Sequence, residues 1–267
     1  MIKNLISLEN ELEGKIKDLK ATKLLLAIKA EFEAEGTRID ELAILSELCC
    51  KNNIPLTLKI GGPSAQRDFY EAFQLGANNI LIPMMESKYA LSKSFSIYEK
   101  MINIFTNLKK SPNLSFNIES KLSVKNIDSI LEYIYEKNLP ISEIVIGRTD
   151  LSKSLEISDV NSEKIFKISK SIIDKRRSLN INLGGNLSKK SFTFIKKLTQ
   201  HGLHSFESRK CTFQSAENLS QDEFDNLINI GLEFELAWLE YKKKLYSERS
   251  EEENNRITSI KGRLMGF

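Results

Sequence analysis

"IVIGRTDLSKSL", residues 144–155, decides how the rest of the chain is read. Branched apolar residues run into Gly147, and the pattern then turns polar with Arg148 and Asp150. That is the profile of a buried strand ending at a glycine. A carboxylate just past a strand end has little packing to do. Aspartate and serine are also common in turns and at helix starts, so local structure alone can account for Asp150. The recurrence of the same unit along the chain gives the residue more weight.

Upstream, the spacing predicts a helix over 122–137, a strand over Leu114–Ile118, a helix over 87–107, a strand over Asn79–Pro83 and a helix over 64–75. Before these come a strand in "IPLTLKIGG", a helix in "GTRIDELAILSELCCKNN" and a buried strand over Leu24–Ala30. Thr37 and Asp40 read as a capping box, and Asn52–Asn53 as the helix end. Leu5, Leu8, Leu12, Ile16 and Leu19 form one stripe of an N-terminal helix over 3–20. Downstream follow a helix over 161–177, a strand over Ile181–Leu183, a helix over 188–200 and a strand over Ser205–Ser208. A long helix then opens on a Ser220/Glu223 capping box. The charged stretch 247–267 reads as a further helix or a mobile tail.

Seven strand candidates are each followed by a helix, repeating about every 25–35 residues as βα units do. Such units build a parallel sheet, open or closed. No G-x-G-x-x-G follows the first strand, which argues against a dinucleotide-binding sheet. The expected fold is α/β, a (β/α)8 TIM-type barrel with an N-terminal helix and a long C-terminal helix, one strand being short or irregular. No linker divides the chain, so residues 1–267 read as one barrel domain: helix 3–20, barrel 24–210, helical extension 220–267. In the extension Leu227, Phe234, Leu236 and Trp238 mark an apolar side that would seal the barrel bottom or pack on another subunit.

The 267 residues are 41% hydrophobic and 28% charged, enough for a proper core. A net charge of +3, with lysines mixed among acids, excludes nucleic acid and anionic membranes as expected partners. Cys49, Cys50 and Cys211 are odd in number and lack metal spacing, which fits reduced thiols. The N-terminus does not read as a signal peptide and no eighteen-residue apolar run exists. The expectation is a cytoplasmic protein.

In parallel α/β folds chemistry gathers where strands end. Here those positions hold Lys29, Glu31 and Glu33; Lys59, Gly61 and Gly62; Met84 and Glu86; Glu119; Arg148 and Asp150; Gly184 and Gly185; then Glu207, Arg209 and Lys210. A scaffold does not need charges at nearly every strand end of one face. Glu119 and Asp150 are one βα unit apart, on strands about 4.8 Å from each other. Two carboxylates with open positions suit Mg²⁺ or Mn²⁺. Glu119 could instead pair with Lys29 or Lys59. A metal there would polarise the carbonyl of a 2-oxo acid, while Lys59 and Arg148 hold its other oxygens. The glycine pairs offer backbone N–H groups to an anion, or simply make tight loops. Met84 and Met85 read as packing.

"ILIPMMESKYAL", "FNIES" and "IVIGRTDLSKSL", in this order, resemble the metal-dependent pyruvate-type (2-oxo-acid) aldolase and citrate lyase beta-subunit family of the phosphoenolpyruvate/pyruvate superfamily. The resemblance covers residues 24–210. It implies a (β/α)8 barrel, chemistry next to a metal-bound enolate, Mg²⁺ or a similar ion on Glu119 and Asp150, and a homo-oligomer. The chain departs from the family in two places. Its "KAEFEAEG" has no histidine where an Asp-x-Glu-His type motif carries the base, and Lys59 stands where an arginine is usual.

The base is therefore expected to be Glu33 or Glu31, helped by Lys29, with His204 as a second candidate. A Schiff base on Lys29 is the alternative that a metal would make redundant. Arg148 completes the catalytic set, and Lys59, Gly61, Gly62, Glu86, Arg209 and Lys210 are the expected substrate contacts. The expected function is a metal-dependent carbon–carbon lyase acting on a 2-oxo acid, with an aldehyde as a further candidate partner. Its rivals are a phosphoenolpyruvate- or acyl-CoA-dependent enzyme and a non-catalytic binding barrel.

Overall fold

Alternation along each strand sorts the chain into two cores. The computed structural model describes residues 2–245 and 251–265, with side chains within 9–243 and 253–265. Strands β1 (Leu25–Glu31), β2 (Leu56–Lys59), β3 (Asn79–Ile82), β4 (Asn113–Ile118), β5 (Ile141–Gly147), β6 (Asn180–Gly184), β7 (Ser205–Glu207) and β8 (Cys211–Gln214) close into a barrel in sequence order. Around them run α1 (Ile2–Ala21), α2 (Ile39–Lys51), α3 (Gln66–Gln74), α4 (Lys88–Ile104), α5 (Lys121–Glu136), α6 (Arg148–Ser154), α7 (Glu163–Lys175), α8 (Phe192–Thr199), α9 (Gln221–Leu245) and α10 (Glu251–Leu264).

The eight-stranded α/β barrel is as expected, with one difference at its closure. β1 to β7 pair in parallel, but β8 turns straight back from β7 and runs antiparallel to both β7 and β1. No helix separates β7 from β8, because Ser208 closes a short turn. Its hydroxyl accepts from the Cys211 N–H at 3.0 Å. The strand that sequence periodicity misses is this short return in "CTFQ".

Outward-facing residues make the apolar core between barrel and helices: Ile28 and Ala30 on β1, Leu56 and Leu58 on β2, Phe116 and Ile118 on β4, and Ile144 and Ile146 on β5. Helix α9 does not seal the barrel bottom. It stands in the outer ring, with Phe224 packed 5.2 Å from Phe206 and Gly231 against Phe213. Leu227, Phe234 and Trp238 are buried as expected, and Leu236 only partly. Helix α1 lies beside α9, tied by Lys15 to Glu233 at 2.7 Å. Leu12, Ile16 and Leu19 of its stripe are fully buried; the side chains of Leu5 and Leu8 lie outside the described residues. The charged C-terminal stretch is helical in α10; residues 246–250 and 266–267 lie outside the described residues.

Two capping boxes have different outcomes. Ser220 and Glu223 form theirs, with the Ser220 N–H donating to Glu223 at 2.9 Å. The α2 box sits one residue later than Thr37/Asp40: Arg38 is the N-cap and its N–H donates to Glu41 at 3.2 Å. Cys49, Cys50 and Cys211 are free thiols. No described helix is long and apolar enough to cross a membrane.

Gly185 fixes how α6 leaves the barrel. Its φ is +88°, and a Cβ there would lie 2.5 Å from the Thr149 N. Gly185→Ala should lose about 2 kcal/mol or more of folding stability in urea denaturation, from strain and clash together. A loss below about 0.5 kcal/mol would contradict this packing.

Candidate active site

The inward positions of the strands carry a second, polar core. TIM-barrel interiors are usually filled by branched aliphatics. Here Lys29 and Glu31, Thr57 and Lys59, Ser115, Asn117 and Glu119, then Asn182, Ser205 and Glu207 are all buried. Burying an ion costs several kcal/mol unless it is paired and hydrogen-bonded. The interior meets that demand in two clusters.

The first centres on Lys29, whose Nζ lies 2.6 Å from Glu207 and 3.1 Å from Glu31. Burial alone would lower its pKa, but the two carboxylates outweigh burial and hold it well above the usual lysine range. Glu31 responds in reverse. Burial pushes its pKa up, and Lys29 and Lys59 pull it down to about 2. Asn182 donates to the other oxygen of Glu207 at 2.7 Å.

The second centres on Glu119. Its Oε1 accepts from the Met84 N–H at 2.8 Å, and its Oε2 from Asn117 Nδ2 at 2.7 Å. Met84 makes that bond from a left-handed backbone, φ +51°, with its side chain exposed rather than packed. Lys59 bridges outward, 2.5 Å from Glu33 and 3.7 Å from Glu119. Glu119 is still raised above the usual carboxylate range. Burial dominates, and Lys59, Met84 and Asn117 offset it only partly. Gly147 makes the room: a Cβ there would sit 2.9 Å from Glu119 Oε2. Gly184 does the same for Glu207, at 3.0 Å from Oε1.

Both clusters open into one cavity of about 870 Å³ at the C-terminal ends of the strands. Lys29, Glu31, Glu33, Lys59, Glu86, Glu119, Asp150 and Arg209 all line it. Asp150 sits in the first turn of α6, half exposed, with Lys153 at 3.4 Å. Glu86 is held by the Ser120 hydroxyl at 2.5 Å, and Ser120 also caps α5.

Five expected site residues go elsewhere. Arg148 is fully buried and does not line the cavity. Its guanidinium donates to Gly184 O at 3.1 Å, Gly185 O at 2.7 Å and Asn161 Oδ1 at 2.5 Å, over the Phe194 ring. Its donors clamp the β6 loop instead of a substrate. Lys210 pairs with Glu35 and lies beneath Trp238, 5.9 Å from the ring, behind the barrel wall. Gly61 and Gly62 are outside the cavity, and the Gly61 N–H is taken by Asp68 at 2.7 Å, so this pair makes a tight turn. His204, its pKa lowered by burial, precedes β7 and does not line the cavity.

Two carboxylates at the cavity are the candidate donors for a divalent ion. Glu119 and Asp150 line one cavity, and Glu119 Oε2 rests against Gly147, three residues before Asp150. Each Glu119 oxygen has a further lone pair. Hard oxygens with open positions fit Mg²⁺ or Mn²⁺, whose remaining positions water or substrate fills. Among the described residues no group of three or more His, Cys, Asp or Glu could hold an ion. The candidate donors are thus two carboxylates that line the cavity, Glu119 and Asp150.

Asn117, Asn182, Ser115 and Glu143 belong to the interior and were missed by sequence reading. The signal for the first three is polarity at every second position of "NLSFNIE" and "NINLG", whereas Glu143 is a lone acid in the apolar "ISEIVIG". Glu143 faces a smaller cavity of about 390 Å³ at the opposite end of the barrel. Burial, then Glu207, push its pKa up to about 8.

The sequence compared with known proteins gives a consistent result. Residues 59–191 match the HpcH/HpaI aldolase/citrate lyase family. No curated protein matches the chain. Similar solved structures include the HpcH/HpaI aldolase from Desulfitobacterium hafniense DCB-2, 14% identical, TM-score 0.54, covering 67% of this chain and 74% of that one. The citrate synthase SbnG is 15% identical at TM-score 0.56, covering 68% and 76%. A family protein from Burkholderia cenocepacia J2315 is 11% identical at TM-score 0.55, covering 67% and 76%. At these identities the structures show the fold alone.

Glu143 gives a pH prediction. Its proton is held in the folded state up to about pH 8, whereas an unfolded glutamate releases it near its ordinary value of 4.5. Its contribution to stability is thus full below about pH 4.5 and is lost as pH rises towards 8. Glu143→Gln should remove that slope and be more stable than wild type at pH 8.5 by on the order of 2 kcal/mol, allowing for water in the lower cavity. Equal urea midpoints at pH 5 and pH 8.5 for both proteins would contradict a protonated Glu143.

Proposed function

The chain belongs to the HpcH/HpaI aldolase/citrate lyase family, a family of carbon–carbon lyases and aldolases, and on that premise we propose that it is a divalent-metal-dependent lyase of a 2-oxo acid, acting through an enolate. The observation that carries this reading is the Glu119–Asp150 pair lining one cavity with Lys59. Glu119 and Asp150 would hold Mg²⁺ or Mn²⁺, which when bound polarises a carbonyl and stabilises negative charge on its oxygen.

The chain's own residues have separable tasks. Met84 N–H and Asn117 fix the Glu119 carboxylate, so its free lone pairs are aimed by the fold. Lys59, reaching both Glu33 and Glu119, holds the substrate carboxylate as a point charge. Glu33, partly exposed at the mouth and bound to Lys59 Nζ, takes the proton from the carbon next to the carbonyl and returns it. Glu31 is too acidic for that task, at about 2, and serves to keep Lys29 and Lys59 charged. Lys29 stays protonated between its carboxylates, which rules it out as an amine nucleophile. Arg148 acts as a positioning residue through Gly184 and Gly185.

The test is solvent exchange of the pyruvate methyl protons. With pyruvate and Mn²⁺ in D₂O, NMR should show exchange that needs both protein and metal. Glu119→Gln should slow it at least about 100-fold, and Glu33→Gln should lower the rate while leaving Mn²⁺ binding intact. Absence of exchange with every simple 2-oxo acid would support a non-catalytic barrel.

A further inference from the structure

Making or breaking a carbon–carbon bond beside a 2-oxo group moves two protons. One leaves or joins the carbon next to the carbonyl, the task given to Glu33. The other leaves or joins the oxygen on the far carbon of that bond. This oxygen needs its own acid or base within hydrogen-bond reach.

The carboxylates that line the cavity are nearly all answered by cations. Lys29 holds Glu31 and Glu207, and Lys59 holds Glu33 and Glu119. Lys153 and Arg256 lie against Asp150 and Glu235. Glu86 is the exception. It lines the same cavity, is half-buried, and has no ion pair among the described residues. Its Oε1 accepts from the Ser120 hydroxyl at 2.5 Å, and its Oε2 takes no hydrogen bond among the described residues.

The residue is fixed from two sides. Its backbone carbonyl accepts from Asn126 Nδ2 at 2.7 Å. The Ser120 hydroxyl that donates to its side chain accepts in turn from the Ser123 N–H at 3.1 Å, at the start of α5. Ser120 directly follows Glu119, and Met84, two residues before Glu86, holds Glu119 through its N–H. Glu86 is thus tied twice to the segment that carries Glu119. A held carboxylate with one oxygen uncommitted and no cation to answer it is placed to exchange a proton with a ligand.

We propose that Glu86 is the catalytic acid–base residue for the leaving oxygen. In cleavage it takes the hydroxyl proton, and the O–H electrons become the second bond of the aldehyde C=O. The electrons of the broken carbon–carbon bond pass into the enolate of the 2-oxo acid, whose carbon then takes a proton from Glu33. Condensation runs the same steps in reverse, and proton exchange with solvent resets both carboxyl groups. This rests on the proposed function and adds to it the second proton carrier.

The test compares two reactions of the full chain. Pyruvate with Mn²⁺ in D₂O reads enolisation alone; adding acetaldehyde or, separately, glycolaldehyde reads bond formation, followed by NMR of the condensation product. In Glu86→Gln, which keeps an acceptor for Ser120, the ratio of condensation to exchange should fall at least about 30-fold. In Glu33→Gln the two rates should fall together. Glu86→Asp keeps a carboxylate at shorter reach and should retain more condensation than Glu86→Gln. A purely structural role reverses that order, because glutamine matches glutamate in size. An unchanged ratio in Glu86→Gln, the reversed order, or exchange without condensation of either aldehyde in wild type would overturn the assignment and leave enolisation standing. Absence of exchange in wild type would remove the proposed function itself, and the role of Glu86 with it.

Discussion

Lys29, held between Glu207 and Glu31 inside the barrel, is the interaction on which the rest of the structure depends. It links β1 to β7 across the antiparallel β8 and so joins the two ends of the barrel where the repeat breaks. It also supplies the nearest cation to two buried carboxylates, and removing one partner of a buried ion pair costs about 3–5 kcal/mol in proteins where this has been done. With Glu207 and Glu31 answered by Lys29, Lys59 is left to face Glu33 and Glu119 at the cavity. The interior charge is thus divided into a triad around Lys29 and a triad around Lys59.

That division needs space, and the strand ends supply it. Gly147 and Gly184 carry no side chain where Glu119 and Glu207 lie against the neighbouring strand. A Cβ at either position would push a buried carboxylate out of its hydrogen bonds. Arg148 then pins the loop after Gly184 by its two carbonyls, so the residue that looks most like a substrate ligand in sequence is a brace for the loop.

Much of this was legible in the sequence. Repeated βα units gave the barrel, and reading strand ends brought Lys59, Glu119 and Asp150 to one cavity. The failures have physical causes. β8 is four residues long and follows β7 through a tight turn, too short for periodicity to register. A strand over Leu114–Ile118 does not by itself say which face is inside; Ser115, Asn117 and Glu119 alternate with Phe116 and Ile118 and mark a polar interior. Lys210 and Arg148 sit next to site residues in sequence but point the other way, outward from the barrel, as neighbours on a strand or its end do. Arg256 and Arg263 belong to no motif, and only folding of α10 over the mouth brings them to the site.

The most direct measurement is Mn²⁺ binding, followed by loss of the free-ion electron paramagnetic resonance signal, to wild type, Glu119→Gln and Asp150→Asn. The account predicts one site per chain in wild type, with affinity falling at least about tenfold in each variant while the fold is retained. Mn²⁺ binding that is equally tight in all three proteins, or absent from wild type, would contradict it.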